Sequence, residues 1–90
     1  NNGLDFSLGN AYPNPFNPAT TISLTIPNPE FVSVKVFNLM GQEIESLSEG
    51  ILEAKTHLFT WNASEVPSGV YLIRAESVSN VDIKKVLLVK

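Results

Sequence analysis

The sequence has no cysteine. That excludes a disulfide framework, a thiolate zinc site and a cysteine nucleophile, and it leaves the redox compartment undecided. It has one histidine, His57, and its only aspartates are Asp5 and Asp82. A histidine base needs a nucleophile beside it and an acid to orient it, and no motif groups such residues here. His57 shares the parity of Phe59 and Trp61, the pattern of a structural residue near a sheet rim. One imidazole and scattered carboxylates do not build a tetrahedral metal site, and no EF-hand loop is present. Gly41, Gly50 and Gly69 stand alone as turn glycines, so there is no phosphate-cradling loop. Basic charge is scarce: six Lys and Arg against nine Asp and Glu give a net charge of −3. A nucleic-acid partner, which needs clustered cations, is not expected. No apolar run approaches the ~20 residues of a membrane-spanning helix. The start, NNGLDFSLGN, lacks the basic and apolar regions of a signal peptide. The chain is therefore expected to be a piece from the end of a longer protein, with residues 1–4 as linker and 5–90 as one domain. Helical spacing is missing too. The stretch from Leu47 to Leu58 fits it only by ignoring Gly50.

Period-two alternation is what the sequence does have. Ninety residues, 43% hydrophobic and 17% charged, suffice for one small globular domain and exclude a disordered chain. Pro13, Pro15 and Pro18 each fix φ and lack a donor, so Tyr12 to Pro18 reads as a stiff extended lead-in. Asn14 and Asn17 suit Asx-type turns. Behind it, Ile22, Leu24 and Ile26 alternate with polar residues as a half-buried strand. Phe6 and Leu8 suggest a short edge strand. Pro27-Asn28-Pro29 stops the chain, and Phe31 to Leu39 follows with Val32, Val34 and Val36 inward. Asn38 to Gln42 reads as a hairpin turn with Gly41 at φ > 0. Glu43 to Leu47 returns as a short strand. Ile44 and Leu47 share a face only through a bulge, expected near Ser46. Gly50 then reads as a turn, with Ile51 and Leu52 tucked over the core. Thr56 to Trp61 is a strand, and Asn62 to Ser68 a loop. Val70 to Ser77 turns Tyr71, Ile73 and Ala75 inward. Asp82 to Lys90 is apolar on both faces, which predicts a central or covered strand. The fold class is all-β: an immunoglobulin-like antiparallel β-sandwich of about seven strands.

Three features bear on binding. The aromatics Tyr12, Phe16, Phe31, Phe37, Phe59, Trp61 and Tyr71 include material for a sugar-stacking platform. Trp61 and Tyr71 fit the core better, and Tyr12 and Phe16 stay open. Glu43, Glu45, Glu49 and Glu53 read as a solvated face that discourages edge pairing. Lys84, Lys85 and Lys90 bracket Val86-Leu87-Leu88-Val89. Such a strand suits pairing with a receptor strand, and equally suits the last strand of a sheet with lysines guarding its ends. Weak homodimers through this terminal edge strand are expected. Gly69→Val is expected to destabilise, because Gly69 enters a strand from a turn.

FSLGNAYPNPFNPATTI, VKVFNLMGQEI, HLFTWNASEVPSGVYLIRA and KKVLLVK, in this order, resemble the C-terminal sorting domain of the type IX (Por) secretion system. The resemblance runs from Phe6 to Lys90. It implies an immunoglobulin-like sandwich without catalytic activity or cofactor. It implies a signal that directs a passenger through the periplasm and across the outer membrane to the cell surface of a Bacteroidetes-like bacterium. The implied partners are an outer-membrane translocon, a sortase-type peptidase and the passenger upstream. By position, Tyr12, Pro13, Asn14 and Pro15 match the lead-in, Gly41 the hairpin, and Pro67, Gly69 and Tyr71 the P-x-G-x-Y motif. Lys84, Lys85, Val86, Leu87, Leu88, Val89 and Lys90 match the terminal motif, the candidate for translocon recognition. Asn62-Ala63-Ser64 departs from the family, where an Asp-Gly pair often follows the Trp. The alternative is an accessory carbohydrate-binding or structural immunoglobulin-like module of a secreted multidomain enzyme.

Overall fold

The alternating segments pair into two antiparallel sheets in the computed structural model, which describes residues 5–90. The linker reading of residues 1–4 lies outside the described residues. The strands are β1 (Ser7–Leu8), β2 (Ala19–Thr25), β3 (Glu30–Asn38), β4 (Glu43–Leu52), β5 (Thr56–Asn62), β6 (Gly69–Glu76) and β7 (Val81–Leu88). One sheet has the order β1-β2-β5 and the other β4-β3-β6-β7. There is no helix among the described residues.

The inward parity predicted for β2, β3 and β6 is the buried one. Ile22, Leu24 and Ile26 from the first sheet meet Val32, Val34, Val36, Ile73 and Ala75 from the second in a single core. Each large apolar side chain withdrawn from water in this way contributes about 1.5–3 kcal/mol. Trp61 lies at the centre, with Tyr71 edge-on at 5.2 Å and Phe16 tilted at 5.5 Å. Thr20 is buried among them at an inward position of β2, and its hydroxyl donates to the Pro13 carbonyl at 2.7 Å. A buried hydroxyl is tolerated only with such a partner.

The structure corrects two readings. β4 does not stop at Leu47 but runs on to Leu52, and Gly50 sits within it opposite Val32. Gly50 is not among the glycines with positive φ. Pairing with the apolar β3 holds this stretch extended and overrides the turn preference of an isolated glycine. Leu52 packs against the core, whereas Ile51 points out and is 76% exposed. The expected bulge is present beside Ser46, since Val34 pairs with Ser48 and Lys35 with Ser46, leaving Leu47 over. A second bulge leaves Ile44 over between Glu43 and Glu45. Both extra residues pack on the core, which is how Ile44 and Leu47 come to share a face.

The second correction concerns β7. It is an edge strand, neither central nor covered on its outer face. Val86 and Leu88 are buried, while Ile83 is 50%, Leu87 38% and Val89 49% exposed.

Candidate recognition interface

The proline lead-in works as an edge cover. Pro13, Pro15 and Pro18 have no N–H to give, so the backbone between them cannot form a full ladder. Asn14 and Phe16 supply what the prolines lack. The Phe16 N–H donates to the Leu87 carbonyl at 2.9 Å, and the Val89 N–H donates to the Phe16 carbonyl at 3.0 Å. The Asn14 carboxamide then stands in for a peptide group. Its oxygen accepts from the Leu87 N–H at 3.0 Å, and its nitrogen donates to the Lys85 carbonyl at 3.2 Å. Phe16 thereby forms a parallel bridge with Leu88, and its ring is sealed in the core at 2% exposure. At the other end the lead-in is tied to β2, where Tyr12 and Thr21 exchange backbone bonds of 2.9 and 3.0 Å. The Xaa–Pro bonds at Pro13, Pro15 and Pro18 are all cis.

This cover changes the reading of the terminal motif. The outward main-chain groups from the Lys85 carbonyl to the Val89 N–H are engaged, so a receptor strand would have to displace the lead-in to pair there. The same holds for a second copy, so the expected homodimer through this edge meets an occupied ladder. Side-chain access divides the motif again. Val86 and Leu88 belong to the core, and Lys84 is half-buried. Lys85, Leu87 and Val89 face outward. Lys90 is exposed but tied down: its N–H donates to the Ser68 hydroxyl at 3.0 Å and its ammonium to the Ser64 carbonyl at 2.8 Å. Outward on the same sheet face, Leu72 pairs with Lys85 and Val70 with Leu87. Phe37, Leu39, Leu72, Arg74 and Ile83 line a shallow depression there, with the Arg74 guanidinium 4.7 Å from the Phe37 ring centre.

The other motif residues hold the frame. The Asn38 side chain organises the hairpin, its oxygen accepting from the N–H groups of Met40 and Gln42 at 2.9 and 3.0 Å. Its nitrogen donates to Gln42 Oε1 at 2.8 Å, and Gly41 takes φ +84° as expected. The Tyr71 ring is core while its hydroxyl donates to the Pro67 carbonyl at 2.6 Å, the partner a buried phenol requires. Gly69 enters β6 at φ +155°, outside the range of ordinary side chains. In the departing segment, Asn62 Oδ1 accepts from Ser64 N–H, and Ala63 is buried with its N–H on the Pro18 carbonyl. The local turn is thus made by an Asx bond in place of a glycine.

His57 is half-buried beside Phe59, its Nε2 2.8 Å from the Glu53 carbonyl. Among the described residues no group of three or more His, Asp or Glu side chains is placed to hold a metal ion. The aromatics do not form a platform: Phe16 is core, and the exposed Tyr12 and Phe31 lie on the lead-in and on β3. The Asn14–Lys85/Leu87 bridge was not foreseen. The signal for it was an Asn between two prolines in a chain whose last strand needed an edge partner.

Residues 10–90 match the family model described as the secretion system C-terminal sorting domain. The chain belongs to this family. It is a C-terminal sorting-signal domain of a secretion system. No curated protein matches the chain. Among solved structures it is similar to PorZ, described as an essential bacterial surface component of the type-IX secretion system of Porphyromonas gingivalis. The likeness has a TM-score of 0.63 at 24% identity, covering 98% of this chain and 12% of that one. At that identity the likeness speaks for the fold, and this chain spans about an eighth of that protein's length.

Proposed function

We propose that this sorting domain is an immunoglobulin-like sandwich read by an outer-membrane translocon of the type IX secretion system through the outward row Lys85, Leu87 and Val89. In this reading a passenger joined upstream crosses the periplasm and is delivered to the cell surface or the medium. A sortase-type peptidase then acts on the junction. The domain itself catalyses nothing.

The observation that carries the reading is the division of the terminal motif. Its alternate residues are buried and its edge backbone is engaged by Asn14 and Phe16. What remains for a partner is a basic and apolar side-chain row beside Leu72 and Val70. Recognition of that row by complementary side chains requires no unfolding of the signal.

The test fuses the full chain behind an exported reporter in a host with this secretion system. Removing residues 84–90 is a poor probe, because it also takes Val86 and Leu88 from the core. Lys85→Glu combined with Leu87→Asn alters only exposed positions. Loss of surface delivery with an unchanged unfolding transition is expected. Normal delivery by that variant overturns the proposed row. Retention of the unaltered fusion in the periplasm overturns the secretion reading in that host.

A further inference from the structure

The three-stranded sheet ends in β5, and β5 has none of the devices that guard the other edges. The edge of β7 is covered by the lead-in. The N–H of Leu8 in the two-residue β1 donates to Asp82 Oδ2 at 2.8 Å. β4 carries two bulges and the outlying acids Glu43, Glu45 and Glu49. β5, THLFTWN, is seven residues long, pairs with β2 without a register shift, and has no carboxylate, lysine, arginine or proline.

The ladder shows which groups stand open. Ala63 N–H donates to the Pro18 carbonyl at 2.8 Å, and Ile26 N–H to the Lys55 carbonyl at 3.1 Å. Antiparallel pairs alternate between bonded and non-bonded. So His57, Phe59 and Trp61 turn their main-chain groups toward β2, and Thr56, Leu58 and Thr60 turn theirs away. β5 pairs with no strand but β2 among the described residues.

We infer that two copies of this chain associate through β5, antiparallel across a twofold axis with Leu58 opposite Leu58 of the second copy. That register is self-complementary, as an isologous contact must be. Leu58 would exchange two main-chain bonds with its counterpart, and Thr56 would face Thr60 of the second copy twice. On the outer face the threonine pairs already present, Thr21–Thr60 at 3.0 Å and Thr25–Thr56 at 2.9 Å, continue across the axis. Leu58, now 72% exposed, gains an apolar partner. On the inner face His57 meets Phe59 of the second copy and covers its half-exposed ring. No charged side chain opposes another along β5, so nothing on this edge repels a copy of itself. One strand pair buries less than the ~1,200 Å² of a standard stable interface, so the dimer is weak and concentration-dependent. The inference is independent of the sorting function.

Sedimentation of the 90-residue chain over a concentration series tests it, with Leu58→Lys as the edge-blocking variant. The expected result is a reversible dimer whose dissociation constant rises about tenfold or more in Leu58→Lys while the circular dichroism stays unchanged. A single-cysteine chain supplies the register. Bonded pairs sit about 5.5 Å apart at Cα, within disulfide reach. Leu58→Cys should form a covalent dimer under oxidised glutathione far faster than the similarly exposed Ile51→Cys. A chain monomeric at about 1 mM, at the weak end of specific affinities, overturns the inference. So does a dimer indifferent to Leu58→Lys, or equal cross-linking by the two cysteine variants.

Discussion

On one lateral side, between β1 and β7, the chain closes its own opening; on the other, between β4 and β5, no segment among the described residues covers either strand edge. The closed side uses backbone and an amide. Phe16 bonds to Leu87 and Val89, Asn14 to Lys85 and Leu87, and Asp82 to Leu8. The open side relies on side chains and irregularity: bulges and glutamates on β4, and nothing comparable on β5. The lesson is that a polar, proline-rich segment can protect an edge as well as a strand does. It needs only one residue with a free peptide and one carboxamide at the right spacing. A covered β7 can then expose its outer side chains without offering its backbone to any passing strand.

Removing the anchor of the closed side should have the largest effect. Phe16→Ala takes a fully buried ring off Trp61 and loosens the lead-in. It should cost ~3–5 kcal/mol in urea unfolding, enough to unfold much of a small domain. A loss under ~1 kcal/mol would mean that the ring carries little of the closure.

Gly69→Val comes next. Its Cβ would meet nothing within 4 Å, so the cost is the φ of +155° alone. Strain of this kind amounts to ~1–3 kcal/mol, visible as a lower Tm; an unchanged Tm would remove the strain argument.

Asn14→Ala separates edge protection from stability. It leaves the Leu87 N–H and the Lys85 carbonyl at an exposed edge, where water replaces part of the lost bonding. About 0.5–1.5 kcal/mol should be lost. Amide exchange should accelerate most at Leu87, and protection equal to the unaltered chain there would show that the carboxamide is not the cover.

The smallest effect is expected on the open side. Gly50 lies in β4 with space around it and without a positive φ, so Gly50→Ala should be neutral or stabilise by about 0.5–1 kcal/mol. A clear loss of stability would restore the turn that the sequence suggests there.

Much of the frame was legible because alternation is a local property. Ile22-Leu24-Ile26, Val32-Val34-Val36 and Tyr71-Ile73-Ala75 each declare a buried face within five residues. Asn38 and Gly41 declare the hairpin turn through turn chemistry. β4 was half legible, since Ile44 and Leu47 demanded a bulge. Its extension through Gly50 to Leu52 depends on β3, a partner no local pattern reveals. The candidate interface was legible as a motif but not as a surface. Lys84 to Lys90 reads as one continuous signal, and the sheet divides it by parity into core, Val86 and Leu88, and outward row, Lys85, Leu87 and Val89. An apolar residue on each parity says only that neither face is strongly polar. Which face meets water depends on what packs against it.

The sequence by itself determined the seven extended segments, the inward residues of β2, β3 and β6 and the family, because each is written in residues close along the chain. The tertiary structure decided which strands became edges and how each edge is guarded. Asn14 and Leu87 are distant in sequence, and their bond exists only because the lead-in and the last strand are brought to the same side of the core. Contacts of that kind depend on where two sheets place their borders, which no local pattern encodes.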